Sequence, residues 1–156
     1  MRVRVLAVGS RMPKWVRESY DDYVTRLGPN LKVALTEIEA GSRGGSRTPQ
    51  SAMETEAQRL LAAVRKDDYV VVLDERGTEM TTRELSSWLG TRMREGQDLV
   101  FLIGGPDGFA PDVLARGNLR WSLSRLTFPH ALVRVVLAEQ LYRAHGLLTN
   151  HPYHRD

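Results

Sequence analysis

The four histidines of this chain all lie in its C-terminal part, at positions 130, 145, 151 and 154. Imidazole titrates near neutral pH, which suits histidine to moving protons under physiological conditions. In the tail NHPYHRD, His154 stands between Tyr153 and Arg155. A base, a phenol and a permanent cation in consecutive positions could hold and deprotonate a substrate, although chain ends are also commonly frayed. The residue types alone leave both interpretations open.

A metal site is the other chemistry that paired histidines suggest. The chain has no cysteine, and Asp156 is the carboxylate nearest to His151 and His154. Because protein zinc sites combine several His, Cys and carboxylate ligands, we predict no metal here. The same lack of cysteine excludes disulfides and a thiolate nucleophile.

Two continuous apolar runs end in polar turns that could bind a ligand. The run ending at Leu73 continues into DERG, and the run ending at Ile103 continues into GGPDG, which begins with Gly104. Parallel sheets bind ligands beyond the carboxyl ends of their strands, and glycine lets a ligand approach the main chain. GGPDG could equally be a tight turn into the next helix. Neither a correctly spaced GxGxxG nor GxxxxGK[ST] is present, so no standard dinucleotide or triphosphate loop is predicted.

A third candidate loop, LSRLTF at residues 123–128, is closed by Pro129. It combines apolar side chains with hydroxyl groups, and all six of its residues carry main-chain donors and acceptors. Such a loop suits a flat adenine ring, which can be held by main-chain hydrogen bonds between apolar walls. The alternative is an ordinary connection between a strand and a helix.

The helix predicted over residues 130–147 is apolar nearly all round in its first part. The residues responsible are Leu132, Val133, Val135, Val136, Leu137 and Leu141. Such a helix must be buried on more than one side, either in its own core or against a partner subunit. Glu139 and Arg143 are four positions apart in the favourable order, so their pairing could be purely structural.

Helical and strand patterns alternate along the chain around these candidate sites. Strands are predicted over residues 2–8, 31–39, 69–73 and 99–103. Helices are predicted from Pro13 to Gly28, over residues 53–64, from Thr81 to Gly96 and over residues 130–147, and Thr81 and Glu84 form a capping box at the start of the third helix. The alternation predicts one α/β domain over residues 1–156, with a mostly parallel sheet flanked by helices. The segment GSRGGSRTPQ at 41–50 lacks a hydrophobic anchor and is predicted to be a mobile loop.

The charge distribution is mildly basic. The formal net charge is +3 and the pI is about 9.5. Residues 41–50 contain Arg43 and Arg47 and no acid, and arginines outnumber acids after residue 112. Such an excess suits an RNA partner but also fits ordinary solvated surface charge. No targeting signal and no apolar run approaching the ~18 residues of a membrane span is present, so we expect a cytoplasmic protein without a membrane segment.

Several motifs resemble one family over essentially the whole chain. They are VRVLAVG, MPKWV, VVLDERG, LIGGPDG, RWSLSRLTFPHALVRVVLAEQLYRA and NHPYHR. The last three, in this order and spacing, are specific for the RlmH-like SPOUT-class methyltransferases, which modify N3 of a pseudouridine in large-subunit (23S) ribosomal RNA. The loop at 41–50 departs from the family pattern, because it carries arginines where relatives often have lysines, and His145 stands where many relatives have another residue.

The resemblance implies a SPOUT-type α/β domain whose C-terminal part is threaded into a trefoil knot, and S-adenosylmethionine as the methyl donor. It also implies a homodimer with the last helix in the interface. Carried over residue by residue, the donor contacts fall on the three loops above: Leu73, Gly104, Leu123, Ser124, Arg125, Leu126, Thr127 and Phe128.

The implied reaction transfers a methyl group to N3 of pseudouridine, whose proton must leave. The candidate catalytic residues are His154 as base or base-positioning group, Tyr153 for stacking or hydrogen bonding, and Arg155 for the imide oxygens or a phosphate, with the tail of one subunit serving the other. Arg125 and Arg143 are possible phosphate contacts, and His130 is expected to be structural first. Because a subunit of 17.6 kDa shows few base-reading motifs, we expect the assembled large subunit or ribosome to be the substrate.

Three alternatives remain on sequence grounds. The chain could be a non-catalytic RNA-binding or ribosome-associated factor that keeps the fold. It could be a small nucleotide-binding hydrolase, although it lacks a phosphate-binding loop and an acid cluster. It could also be a methyltransferase of another RNA, such as tRNA.

Overall fold

Five parallel strands form the sheet that organises the molecule. The computed structural model describes residues 1–29 and 31–150. Along the chain its elements are β1 (Val3–Val8), α1 (Lys14–Arg26), β2 (Val33–Ile38), α2 (Pro49–Ala63), β3 (Tyr69–Glu79), α3 (Thr82–Glu95), β4 (Leu99–Ile103), α4 (Pro111–Arg116), β5 (Leu119–Ser122) and α5 (His130–Leu148). The strand order is β2-β1-β4-β3-β5, and each neighbouring pair is parallel. The predicted α/β fold with a parallel sheet flanked by helices is confirmed.

Helices cover both faces of the sheet, which makes three layers. Successive side chains of a strand point to opposite faces, so Val5 of β1 joins the core under α1, α3 and α5, whereas Leu6 joins the core under α2 and α4. The central strand β4 is buried along its whole length, which explains its unbroken apolar run. Both cores therefore meet at β4.

The predicted ends of α3 are confirmed. The Thr81 hydroxyl oxygen accepts a hydrogen bond from the Glu84 N–H at 3.1 Å, which satisfies one of the free donors of the first turn. At the other end Gly96 adopts a left-handed conformation with φ 72°, and its N–H donates to the Arg92 carbonyl. Glycine adopts this conformation without the steric cost that other residues incur, so the helix stops there.

Two elements were missed by the sequence analysis, and one was cut short. The helix α4 has six residues and the strand β5 has four, which is too short for a periodic pattern. The strand β3 was predicted to end at Leu73, but it continues to Glu79. Its pairing with β5 shifts register between Leu73 and Thr78, so the segment DERG is an irregularity within a strand and not a turn after it.

The last helix, α5, packs against α1 and α3. Leu137, Leu141 and Ala144 are buried in that contact. Val135 and Val136 are only partly buried, so part of the apolar surface of α5 remains on the outside of this protomer. No helix in the described ranges is long and apolar enough to cross a membrane.

The segment 41–50, predicted to be a mobile loop without a hydrophobic anchor, is a loop only up to Thr48, because α2 begins at Pro49. Its mobility stays a prediction, but the loop has an ionic anchor. Gly44 and Arg47 close a short turn, in which the Arg47 N–H donates to the Gly44 carbonyl at 3.1 Å. Arg43 forms an ion pair of 2.7 Å with Glu56, whose side chain is buried on α2. Because the anchor is ionic, the absence of hydrophobic residues from the loop did not reveal it. The sequence feature that could have indicated it is Glu56, an acid that stands next to Ala57 of the apolar stripe of α2.

Candidate functional site

A cavity of about 600 Å³ opens where β4 and β5 end, beside the irregular segment 73–76 of β3. Because β3 lies between β4 and β5 and the three strands are parallel, these segments meet at one edge of the sheet. The cavity is lined by residues 73–76, 103–109, 114, 120–121, 123–124, 126–128, 130 and 133. Its volume lies in the range of sites that enclose a small organic ligand.

Seven of the eight residues predicted to contact a donor line this cavity. They are Leu73, Gly104, Leu123, Ser124, Leu126, Thr127 and Phe128. The eighth, Arg125, is not among the lining residues, and its side chain is 87% exposed with Nε 3.5 Å from Glu79 Oε1. The tertiary structure therefore brings the three loops together, and donor binding by these residues stays a prediction.

Gly104 begins the loop that forms one wall of the cavity. A Cβ at this position would lie 3.2 Å from the Phe109 ring and 3.3 Å from the Gly108 carbonyl oxygen. The next residues close a turn in which the Gly108 N–H donates to the Gly105 carbonyl at 3.1 Å. A side chain at position 104 would press into this turn, so glycine keeps the main chain of the wall accessible.

Residues 123–128 lie outside any helix or strand. The Ser124 hydroxyl oxygen accepts from the Leu126 N–H at 2.9 Å, and the Thr127 hydroxyl donates to Glu75 Oε2 at 3.1 Å. The second bond ties the loop to β3 across the cavity. Leu126 is 70% exposed, which is unusual for a leucine and leaves an apolar surface beside main-chain polar groups. This combination can hold a flat heterocycle.

The side chains around the cavity carry both signs of charge. Asp74, Glu75 and Asp107 supply carboxylates, and Arg76 and Arg120 supply guanidinium groups. The lining therefore has three carboxylates and two guanidinium groups. A ligand that combines a cationic centre with a carboxylate could satisfy both signs.

The histidines separate in the folded chain. His130 is the first residue of α5 and lines the cavity, although the sequence analysis gave it a structural role first. His145 is partly buried on the same helix and does not line the cavity, and burial lowers its pKa because the cation is poorly solvated there. The sequence could not separate the two, because both lie on one apolar helix.

One turn after His130, a buried arginine supports the same region. Arg134 is 2% exposed; its Nη1 donates to Glu37 Oε2 at 2.8 Å and its Nη2 donates to the Gly9 carbonyl at 3.1 Å. A Cβ on Gly9 would lie 3.9 Å from His130 Nε2, so Gly9 and His130 are neighbours. The sequence analysis counted Arg134 only toward the basic excess, but the structure makes it an internal contact between α5, β2 and the end of β1.

The other predicted residues are divided between surface pairs and the undescribed tail. Arg143 Nε donates to Glu139 Oε1 at 2.9 Å, which agrees with the structural interpretation of their spacing. Tyr153, His154 and Arg155, the predicted catalytic residues, lie outside the described residues, as does His151. No cluster of three or more His, Cys, Asp or Glu suited to a metal ion occurs within residues 1–29 and 31–150.

Cavity residues that the sequence analysis missed come mainly from the two short elements. Leu114 belongs to α4, and Arg120 and Trp121 belong to β5. A recognised β5 would have placed its end beside the ends of β3 and β4, but four residues carry no usable alternation.

Comparison with known proteins extends these observations. The profile of a family described as "Predicted SPOUT methyltransferase" matches residues 1–154. The chain is 52% identical to the ribosomal RNA large subunit methyltransferase H of Alkalilimnicola ehrlichii over 99% of both chains, and 50% identical to that of Thioalkalivibrio sulfidiphilus over the full length of both.

Solved structures share the fold at low identity. A methylase family protein from Haemophilus influenzae superposes with a TM-score of 0.56 at 11% identity, over 99% of this chain and 70% of that chain. One from Neisseria gonorrhoeae superposes with a TM-score of 0.55 at 12% identity, over 96% of this chain and 94% of that chain.

Proposed function

This chain belongs to the SPOUT methyltransferase family, and from that premise we propose that it methylates N3 of a pseudouridine in large-subunit ribosomal RNA. The methyl donor is S-adenosylmethionine, which SPOUT methyltransferases use. The observation that carries the proposal is the cavity itself, because seven of eight residues expected at the donor line it together. The curated relatives are named for ribosomal RNA of the large subunit, which supports the substrate class.

The residues of the cavity fit the chemistry of this donor. Its adenine ring would lie against loop 123–128, between Leu126 and main-chain polar groups. The carboxylates of Asp74 and Glu75 would favour its sulfonium and ammonium groups, since Asp107 is already paired with Arg43, and Arg76 or Arg120 would favour its carboxylate. When bound, the donor supplies an electrophilic methyl group, and the protein mainly aligns the three reacting atoms.

Removal of the N3 proton is the second task. We assign it to the tail, with His154 as base, Tyr153 as a stacking or hydrogen-bonding group and Arg155 as the cation facing an imide oxygen or a phosphate. The support is chemical type: a base whose pKa is near neutral and a cation that stabilises developing negative charge are what an imide nitrogen needs. Among the described residues, His130 lines the cavity and could share this role.

A homodimer would complete this site. The support is the partly buried apolar surface of α5, which includes Leu132, Val135 and Val136. A second copy on that surface would bury it and would allow the tail of one subunit to reach the cavity of the other. We also propose the trefoil knot of the family for the C-terminal part of the chain, supported by its membership of the SPOUT methyltransferase family.

The substrate is proposed to be the assembled large subunit or ribosome. The support is size: a subunit of 17.6 kDa with few base-reading motifs offers few contacts for reading an RNA sequence. If an isolated RNA hairpin that contains the target pseudouridine were methylated as fast as ribosomes are, this part of the proposal would be contradicted.

The deciding experiment is mass mapping of ribosomal RNA from cells with and without this protein. We expect one methylated pseudouridine of the large subunit to lose its methyl group and to regain it with purified protein and S-adenosylmethionine. Calorimetry with S-adenosylmethionine tests the alternatives. If calorimetry detects no donor binding, the protein is a non-catalytic factor. If mass mapping finds the ribosomal RNA unchanged and a tRNA altered in cells without the protein, the substrate is another RNA.

The tail needs its own experiment. A chain ending at Pro152 should bind the donor with unchanged affinity, because the described cavity residues all precede it, but should methylate ribosomes at least 100-fold more slowly, in the range of a lost general base. Normal methylation by that truncated chain would remove Tyr153, His154 and Arg155 from the mechanism.

A further inference from the structure

One guanidinium connects the basic loop at 41–48 to the wall of the cavity. Arg43 Nη1 donates to Glu56 Oε2 at 2.7 Å, and Arg43 Nε donates to Asp107 Oδ2 at 2.8 Å. Asp107 belongs to the turn 105–108 that lines the cavity. The arginine therefore joins α2, its own loop and the cavity wall by directional bonds that use different nitrogens.

Glu56 is the buried centre of this connection. Its side chain is 3% exposed, and it lies on α2 between Ala52 and Leu60, which are both buried. Besides Arg43, it accepts a hydrogen bond from the Gly41 N–H at 2.8 Å. A buried carboxylate needs such partners, because removing charge from water is costly unless it is paired and hydrogen-bonded. The loop at 41–48 is thus held in place from inside.

The turn 105–108 rests directly on the same carboxylate. A Cβ on Gly105 would lie 3.2 Å from Glu56 Oε1 and 3.2 Å from Val8 Cγ1. A larger residue at position 105 would press on Glu56 and Val8. The position of the wall is therefore set by close packing of Gly105 on Glu56 and by the bond from Arg43 to Asp107.

We propose that Arg43 is a positioning residue for the methyl donor: through Asp107 and Glu56 it holds the turn 105–108 at the distance from loop 123–128 that donor binding requires. The inference rests on the proposed function, since it presumes that this cavity takes S-adenosylmethionine. It also assigns Arg43 a role different from that of an RNA contact, because its guanidinium is engaged by two carboxylates.

The substitution Arg43→Lys tests this with the charge unchanged. A lysine can neutralise Glu56, but its single ammonium group cannot reproduce the fork that reaches two carboxylates from separate nitrogens. We expect a folded protein whose donor Kd, measured by calorimetry, rises on the order of tenfold, as for coupled neighbours in one network. The KM for ribosomes should stay within about twofold, and kcat at saturating donor should be retained.

Two further variants separate positioning from other effects. Asp107→Asn should also raise the donor Kd. The double variant Arg43→Lys with Asp107→Asn should have a donor Kd no higher than that of the single variant that binds more weakly, because both substitutions break the same bond between Arg43 and Asp107. Arg59→Lys is the matched control, since it makes the same change of side chain: Arg59 donates to the carbonyls of Glu39 and Ala40, just before the loop at 41–48, and it is not among the residues that line the cavity. Its donor Kd should stay within about twofold of the wild-type value.

The outcomes divide cleanly. Unchanged donor affinity in a folded Arg43→Lys protein would overturn the inference, as would an equal loss in Arg59→Lys or strict additivity of Arg43→Lys and Asp107→Asn. If Arg43→Lys fails to fold, Asp107→Asn decides alone, and unchanged donor affinity there would also overturn it. A wild-type protein that binds no donor would instead defeat the proposed function.

Discussion

The buried ion pair between α5 and β2 gives the sharpest stability prediction. Arg134 is 2% exposed and Glu37 is 41% exposed at the side chain. Within the described residues Arg134 Nε has no hydrogen-bond partner, so the guanidinium depends on Glu37 and on the Gly9 carbonyl. The two partners are therefore unequal: one charge is shut away from water and the other is half solvated.

Removing either partner should cost different amounts of stability. Glu37→Gln leaves a buried cation without a counter-charge, which costs about 3–5 kcal/mol when both groups are fully buried. Because Glu37 is partly exposed and glutamine still accepts a hydrogen bond, we expect about 2 kcal/mol. Arg134→Met lets Glu37 rehydrate and removes the hydrogen bond to Gly9, so we expect about 1 kcal/mol.

The assay is urea and thermal denaturation of both variants at neutral pH. For a chain of this length, 1 kcal/mol corresponds to a shift in Tm of roughly 2–4 °C. Glu37→Gln should therefore lower Tm by about 4–8 °C and Arg134→Met by about 2–4 °C. If Arg134→Met proves as destabilising as Glu37→Gln, the argument that burial of the guanidinium dominates this pair is refuted.

Three further predictions concern the loop, a buried phenol and the outer face of α5. Thr127→Val removes the hydrogen bond to Glu75, which should weaken donor binding roughly two- to tenfold by calorimetry; unchanged binding would mean that the bond does not order the loop. Burial raises the pKa of Tyr20, so its contribution to stability is present below pH 10, the ordinary pKa of a phenol, and is lost as the pH rises further. Tyr20→Phe should therefore show a shallower fall of Tm between pH 9.5 and pH 11 than the wild type, and parallel curves would contradict this. If the proposed homodimer forms through α5, Val136→Asp should shift the sedimentation coefficient from that of a dimer to that of a monomer, with donor-free Tm as the control for folding. An unchanged coefficient would contradict a dimer contact at this position.

Some parts of the molecule follow from local sequence. The ends of α3 were predictable because Thr81 and Gly96 act within one turn of the helix. The strand β4 was predictable because burial on both faces demands an unbroken apolar run. The three cavity loops could be selected because glycine, hydroxyl and apolar residues in a short loop are what a ligand with a flat ring requires.

Other parts depend on contacts between residues far apart in the chain. The connection of Arg43 to Glu56 and Asp107 joins three segments, and no pattern within residues 41–50 contains it. Likewise, Arg134 could be counted as a surface charge until α5 was placed on Glu37. Ion pairs between distant segments leave no periodic pattern in the sequence. Their partners are therefore identified only once the fold shows which segments lie close together.

The sequence by itself determined the class of fold, the order of eight of the ten described elements and, through motif resemblance, the family. These depend on hydrophobic period, capping and residue types, which are local properties of the chain. Only the tertiary structure decided that DERG continues a strand, that Arg125 stays outside the cavity lining, and that His130 rather than His145 faces the cavity. Those outcomes depend on register, helix placement and strand order, because the same residue types can be buried, exposed or brought together depending on which segments the sheet makes neighbours.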